Sequence, residues 1–191
     1  MPSAGRAELH DEHEGQDRSG QHRGGRGFHH GDIVARTEYG VSVALLYFDD
    51  LQPGQQFVTD SRTISEEDIL RFAREFDPQP FHLDHEAARQ TLFGGLAASG
   101  WHTAALTMRL LVESGPPLAG GILGVGGELT WNQPTRPGDT LRVHTEVVEL
   151  TPSRSRPDRG VATLRNETRN QHDQIVQTFV AKIFVPRNPP A

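Results

Sequence analysis

Residues 99–117, SGWHTAALTMRLLVESGPP, constrain the fold of this chain more than any other stretch. Ser99 can cap a helix start, Gly115 can take the left-handed position past its end, and Pro116-Pro117 block continuation, so the spacing predicts a helix over about 100–113. Its apolar residues, Trp101, Ala104, Ala105, Leu106, Met108, Leu110, Leu111 and Val112, cover more than one face. A helix of that kind lies buried, so other elements must surround it.

The flanking segments are the candidates. Residues 123–131, 140–150, 161–168 and 175–185 read as strands, and the linkers QPTRPGD, TPSRSRPDRG and NQHD are turn-rich and short enough to join antiparallel neighbours. Upstream, a turn at Pro53-Gly54 leads into a strand around Phe57 to Thr63. Ser65 and Asp68 form a capping-box pattern, and Ile69, Phe72, Ala73 and Phe76 follow at helical spacing, giving a helix over 65–76. That helix stops at Asp77 because Pro78 follows, and a residue before proline is pushed out of helical geometry. The expectation is an α+β domain over 41–191, an antiparallel sheet wrapped around a long central helix.

Residues 1–40 have a different texture, crowded with glycine, arginine, glutamate and five of the ten histidines. Few apolar side chains are there to offset the entropy of ordering, so this segment reads as a disordered tail. Metal capture by His10, His13, His22, His29 and His30 is the alternative, but their spacing follows no ligand pattern.

Composition excludes several functions. Among 191 residues there is no cysteine, which removes disulfides, zinc–thiolate sites and cysteine nucleophiles, and favours a reducing, cytoplasmic setting. A net charge of -6 argues against general nucleic-acid binding, which needs a clustered basic surface. No stretch approaches the ~20 apolar residues of a membrane span, and VSVALLYF at 41–48 lacks the basic-then-apolar layout of a signal peptide.

The chemistry concentrates in FDPQPFHLDHEA, residues 76–87. Fully extended, Asp77 and His82 would lie about 16 Å apart at roughly 3.3 Å per residue. The D-P-Q-P sequence instead favours a turn that brings both side chains to one point. A carboxylate and an imidazole converging on one water make a general acid/base pair, suited to hydration of a double bond and almost equally to hydrolysis. Ser99-Gly100 would add a donor for a developing oxyanion, because the first N–H groups of a helix have no intrahelical partner and glycine allows close approach. The residues alone leave other readings open. Asp77 could simply cap a backbone and His82 be a satisfied core histidine, or His82, Asp84 and His85 could bind a metal, although neighbours 84 and 85 would point apart.

The stretch FDPQPFHLDHEAARQTLFGGLAASG resembles the signature of the MaoC-like dehydratases, the (R)-specific enoyl-CoA hydratases. The pattern runs aspartate, any residue, asparagine, proline, any residue, histidine, any residue, aspartate, then a phenylalanine and a glycine that opens the central helix. Asp77 and His82 fall on the catalytic pair, Phe93 on the aromatic residue, and Gly100 on the oxyanion-hole residue, with Ser99 beside it. DLQPGQQF and PTRPGDTL also look like this family, and the similarity spans about 48–185.

The resemblance implies a hot-dog fold paired as a homodimer, and reversible hydration of a 2-enoyl thioester, carried on coenzyme A or an acyl carrier protein, to the (R)-3-hydroxyacyl thioester. It implies no metal or redox cofactor. Thioesterase activity and non-catalytic acyl-CoA binding are the alternatives on the same fold. Arg154, Arg156 and Arg159 are candidates for the coenzyme A phosphates, against a solvated hairpin tip. Three positions depart from the pattern: Gln79 stands for asparagine, Ser99 for a common histidine, and Met108 for a serine that supports the site in some hydratases. His102, Thr103 or Thr107 could supply the missing hydrogen bond.

Overall fold

A computed structural model describes residues 35–36 and 42–189. The histidines between 10 and 30 lie outside the described residues, as does the rest of the segment read as a tail apart from Ala35–Arg36. A short antiparallel pair joins β1 (Ala35–Arg36) to β2 (Ser42–Val43), and a single 3-10 turn spans Phe48–Asp50. The main sheet contains β3 (Gln56–Val58), β4 (Arg62–Thr63), β5 (Leu123–Trp131), β6 (Thr140–Pro152), β7 (Arg159–Arg169) and β8 (Ile175–Pro186). Its order is β3-β6-β7-β8-β5, all antiparallel, with β4 also pairing with β6.

The helices are α1 (Glu66–Phe76), α2 (Pro80–Leu83), α3 (His85–Arg89) and α4 (Gly100–Ser114). Most follow from local sequence. The Ser65 hydroxyl accepts the Asp68 N–H and the Asp68 carboxylate reaches back to the Ser65 N–H, so α1 opens on the expected capping box. The first half of β6 alternates, with Leu141, Val143, Thr145 and Val147 buried and the residues between them more exposed, until a bulge between Val147 and Glu149 ends the alternation.

The strand expected across 57–63 is broken. Thr59 leaves the ladder between β3 and β4, and its hydroxyl accepts the Val143 N–H at 2.9 Å while its own N–H donates to the Val143 carbonyl at 3.0 Å. One residue thereby meets both backbone groups of its neighbour on β6, and the edge strand can bend without leaving them unpaired.

The wrapped sheet is also overturned. The sheet is open, with β3 and β4 along one edge and β5 along the other, and it does not close around a helix. α4 lies on one face, where Leu110 and Leu111 pack with Leu141, Val143 and Val176. Each of those leucines contributes about 1.5–3 kcal/mol by leaving water. Cover on another side comes from α1 and the chain before α4, through Ile64, Ile69 and Ala98 packed against Leu106 and through the Phe72 ring stacked on His102 at 4.5 Å. α4 is therefore not buried all round: Trp101, Met108 and Val112 are 61%, 39% and 69% exposed. The apolar residues on several faces meet a sheet, a helix and solvent, so the pattern does not require a curled sheet.

The end of α4 differs as well. Gly115 has φ -80° and ψ -165°, an extended conformation open to any residue, not the left-handed one expected. Glycine is needed there for space: a Cβ would lie 2.5 Å from the Leu111 carbonyl oxygen, which accepts the Gly115 N–H at 3.0 Å. Gly115→Ala is expected to cost about 1–3 kcal/mol by overpacking. In thermal melts Gly115→Asn should be no better than alanine, whereas a left-handed site would have been rescued by asparagine.

Candidate active site

α1 ends on Asp77, whose N–H caps the helix through the Ala73 carbonyl at 3.0 Å. Pro78 prevents another turn. The chain folds back through Gln79, whose N–H donates to the Asp77 carbonyl at 2.8 Å, and Pro80 starts α2 at a position where a missing N–H costs nothing. This single helical turn was not foreseen, and it carries His82 into the interior at 3% exposure. The chain thus doubles back between Asp77 and His82, and His82 Nε2 lies 3.5 Å from Asp77 Oδ2.

Both side chains are fixed from outside the turn. His82 Nδ1 is 2.8 Å from the Ala97 carbonyl oxygen, which can only accept, so the Nδ1–H donates there and Nε2 is left for exchange toward Asp77. Ser99 donates its hydroxyl hydrogen to Asp77 Oδ2 at 2.6 Å, and the Gln79 amide donates to Oδ1 at 2.7 Å. Burial acts most strongly on Asp77 and raises its carboxyl pKa, but the Ser99 and Gln79 hydrogen bonds and the nearby His82 outweigh it, so the net shift is downward.

The start of α4 completes the arrangement. Ser99 caps it by accepting the Trp101 N–H at 3.2 Å, and among the described residues the Gly100 N–H has no acceptor. The Trp131 indole lies over Gly100, donating from Nε1 to the Gly100 carbonyl at 2.9 Å and to Gln177 Oε1 at 3.1 Å. A Cβ on Gly100 would come within 2.5 Å of that ring, so contact with the indole, as well as access to the N–H, requires glycine.

Asp77, His82 and Gly100 line one pocket of about 430 Å³, with Phe81, Phe93 and Trp101 among its walls. That is room for a small acyl group and a thioester. A base or acid, a second proton site and an N–H at a helix start in one partly apolar pocket suit proton transfer beside a carbonyl that gains negative charge.

Other expected contributors are placed differently. Thr103 is buried at the pocket wall and donates to the Thr135 hydroxyl at 3.0 Å. Thr107 is tied to Thr168 at 2.6 Å and to the Gln177 amide at 3.0 Å, away from the pocket lining, and His102 packs on Phe72. Met108 does not line the pocket. Asp84 caps α3 by accepting the Ala87 N–H at 2.7 Å, and His85 pairs with Glu66 at 3.0 Å, so neither converges with His82 on a metal-binding point.

Arg154, Arg156 and Arg159 sit at the β6–β7 turn, at the far end of the sheet. Arg159 opposes Pro186 whereas Thr168 opposes Gln177, itself opposite Trp131 at the pocket. The nine residue steps from Arg159 to Thr168 span about 30 Å at ~3.3 Å per residue, so these arginines do not reach this chain's own pocket.

Residues 50–170 match the family model of the MaoC like domain. This chain belongs to that family. A crystal structure of a MaoC-like dehydratase from Rhodospirillum rubrum is similar to it, with a TM-score of 0.75 and 57% identity, covering 76% of this chain and 99% of that one. The chain is 36% identical over 140 residues to the uncharacterized protein YdeM of Bacillus subtilis, covering 72% of this chain and 95% of YdeM. It is 37% identical over 114 residues to the 3-hydroxybutyryl-CoA dehydratase of Methylorubrum extorquens, covering 59% and 70%. The region matching the MaoC like model includes Asp77, His82, Ser99, Gly100 and Trp131.

Arg136 is a site residue that sequence reasoning missed, although it lies in the quoted PTRPGDTL stretch. Its guanidinium donates to the carbonyls of Phe93, Gly95 and Leu96, at 2.6 Å for Gly95 and 3.0 Å for Leu96. It thereby fastens the segment that ends in the Ala97 carbonyl and Ser99. The partners are 40 to 43 residues away, so no local pattern announces them. Arg136→Ala is expected to lower stability by about 1.5–3 kcal/mol, as for loss of a charged donor to carbonyls. Urea unfolding should report the loss, and Arg136→Lys should recover only part of it because an ammonium lacks the planar fork.

Proposed function

We propose that this chain is a hydro-lyase that reversibly hydrates 2-enoyl-CoA thioesters to 3-hydroxyacyl-CoA thioesters of (R) configuration. The observation that carries this reading is the 3.5 Å approach of His82 Nε2 to Asp77 Oδ2 in a pocket shared with the Gly100 N–H. The similarity to a 3-hydroxybutyryl-CoA dehydratase supports the substrate class.

The steps balance with these three groups alone. The ionised Asp77 carboxylate takes a proton from water as the water oxygen bonds to C3. The π electrons of the C2–C3 double bond move toward the thioester oxygen, where the Gly100 N–H stabilises the enolate. Such a donor is worth about 2.7–4 kcal/mol to the transition state. His82, its Nδ1–H held on the Ala97 carbonyl, then gives an Nε2 proton to C2 as the enolate collapses. Asp77 now holds a proton and His82 has lost one, and transfer across their short separation restores the pair. Because both groups lie within 3.5 Å of each other in one pocket, hydroxyl and hydrogen arrive on the same face of the double bond.

The α4 surface at Trp101, Met108 and Val112 is exposed, and so is most of edge strand β5, including Leu123 and Val125. An apolar face beside an unpaired strand edge supports a homodimer. Light scattering should give twice the chain mass, and a monomer at micromolar concentration would refute the pairing. Among the described residues no helix is long and apolar enough to cross a membrane. A cytoplasmic location is our reading of the cysteine-free composition.

Purified protein incubated with crotonyl-CoA should remove the conjugated enoyl absorbance without releasing free thiol. Thiol release without hydration would make it a thioesterase, and binding with neither signal would make it a non-catalytic acyl-CoA-binding protein. Asp77→Asn and His82→Ala should each lower kcat at least ~100-fold while the fold survives, as expected for loss of a general acid or base. Near-normal turnover in both variants would overturn the assignment.

A further inference from the structure

We propose that Ser99 and Gln79 are positioning residues for Asp77: together they hold one hydrogen bond on each carboxylate oxygen and so fix the direction in which the carboxylate meets water. The proposal rests on the reading that Asp77 is a proton-transfer group.

Ser99 is the stronger anchor, for reasons of atom count. A serine hydroxyl has one hydrogen and two lone pairs. One lone pair takes the Trp101 N–H at 3.2 Å, and the hydrogen goes to Asp77 Oδ2 at 2.6 Å. At 1% exposure Ser99 meets almost no competing water. Its hydroxyl is therefore oriented by the helix that it caps, and it passes that orientation to Asp77 across 22 residues of sequence.

Gln79 donates to the other oxygen, Oδ1, at 2.7 Å, but it is exposed and lies on the same turn as Asp77, so water can replace it at lower cost. An ionised carboxylate offers about four lone-pair directions. Ser99 and Gln79 occupy one on each oxygen, which stops rotation about the Cβ–Cγ bond and leaves the second lone pair of Oδ2 for the His82 side. The Ser99 peptide also runs directly into the Gly100 N–H. Base and oxyanion donor are thus spaced by a single peptide unit plus two hydrogen-bonded side chains, none of which needs to move.

This gives two of the three departures from the family pattern one physical role. Gln79 and Ser99 stand where asparagine and histidine are usual, and both donate to the same carboxylate. The Gln79 amide turns back two residues to reach Oδ1.

The test uses the full chain and two independent readouts. The first is the 13C titration of the Asp77 carboxyl, assigned by its disappearance in Asp77→Asn. The hydrogen bonds favour the ionised form, so its midpoint should rise toward the ordinary carboxylate value in Ser99→Ala, and less so in Gln79→Leu. Ser99→Gly should behave as alanine does even though glycine substitutes well for serine as a helix cap, which separates the donor from the capping role. Ser99→Thr retains the hydroxyl and should restore the wild-type midpoint.

The second readout is crotonyl-CoA hydration. kcat should fall about 10- to 100-fold in Ser99→Ala, as for a misplaced catalytic group, with KM nearly unchanged. Threonine should recover most of it. An unshifted midpoint in both Ser99→Ala and Ser99→Gly, or wild-type kcat in both, would overturn the positioning role. Absence of hydration by the wild-type protein would sink the proposed reaction instead, while the titration would still decide whether Ser99 and Gln79 hold the carboxylate.

Discussion

Seating the start of α4 against the sheet buries Thr103, Thr107, Thr135, Thr168 and Gln177, and it succeeds only because these polar groups pair with one another. A buried donor or acceptor left alone would cost about 1–3 kcal/mol, enough at several positions to cancel the gain from Leu110 and Leu111. The chain of contacts continues from Gln177 through the Trp131 indole to the Gly100 carbonyl. The helix end that faces the pocket is therefore held by the polar interior of the sheet, while the apolar contacts that give α4 its stability lie farther along it.

The site assembles around that end from segments that have little else in common. Asp77 comes from the end of α1, His82 from the single turn of α2, and Ala97 and Ser99 from the stretch that Arg136 fastens by its carbonyls. Within this group Ser99 is held by the Trp101 N–H and His82 by the Ala97 carbonyl, while Gln79 stays exposed. Fixed partners of this kind let a site meet a transition state without reorganising.

The sequence was most readable where structure depends on neighbours in the chain. The Ser65 capping box, the stop at Asp77-Pro78, the cap at Ser99 and the alternation of β6 are all set within a few residues. The convergence of Asp77 and His82 was legible too, because proline-rich turns have few conformations. What failed or was missed involved distant partners. Residues on several faces of α4 indicated full burial, but the same composition arises when one face meets a sheet, another meets α1 and a third meets solvent. Gly115 was read as conformational and proved steric, since the clash depends on where the Leu111 carbonyl points. The grip of Arg136 on residues 40 to 43 positions earlier, and of Trp131 on Gly100, left no periodic trace.

Trp131 has one more consequence. The indole is at once a wall of the pocket and the donor that pins the Gly100 carbonyl. Pocket size and the seating of the Gly100 peptide are therefore not separate dials. Trimming this residue to widen the pocket would also release the Gly100 carbonyl, so under the proposed hydration gains in substrate range made here would come at the expense of rate. Phe81 and Phe93 line the same space and form no hydrogen bond with the helix start, but their rings lie 4.6 and 5.7 Å from the His82 imidazole, so trimming them would loosen His82 instead.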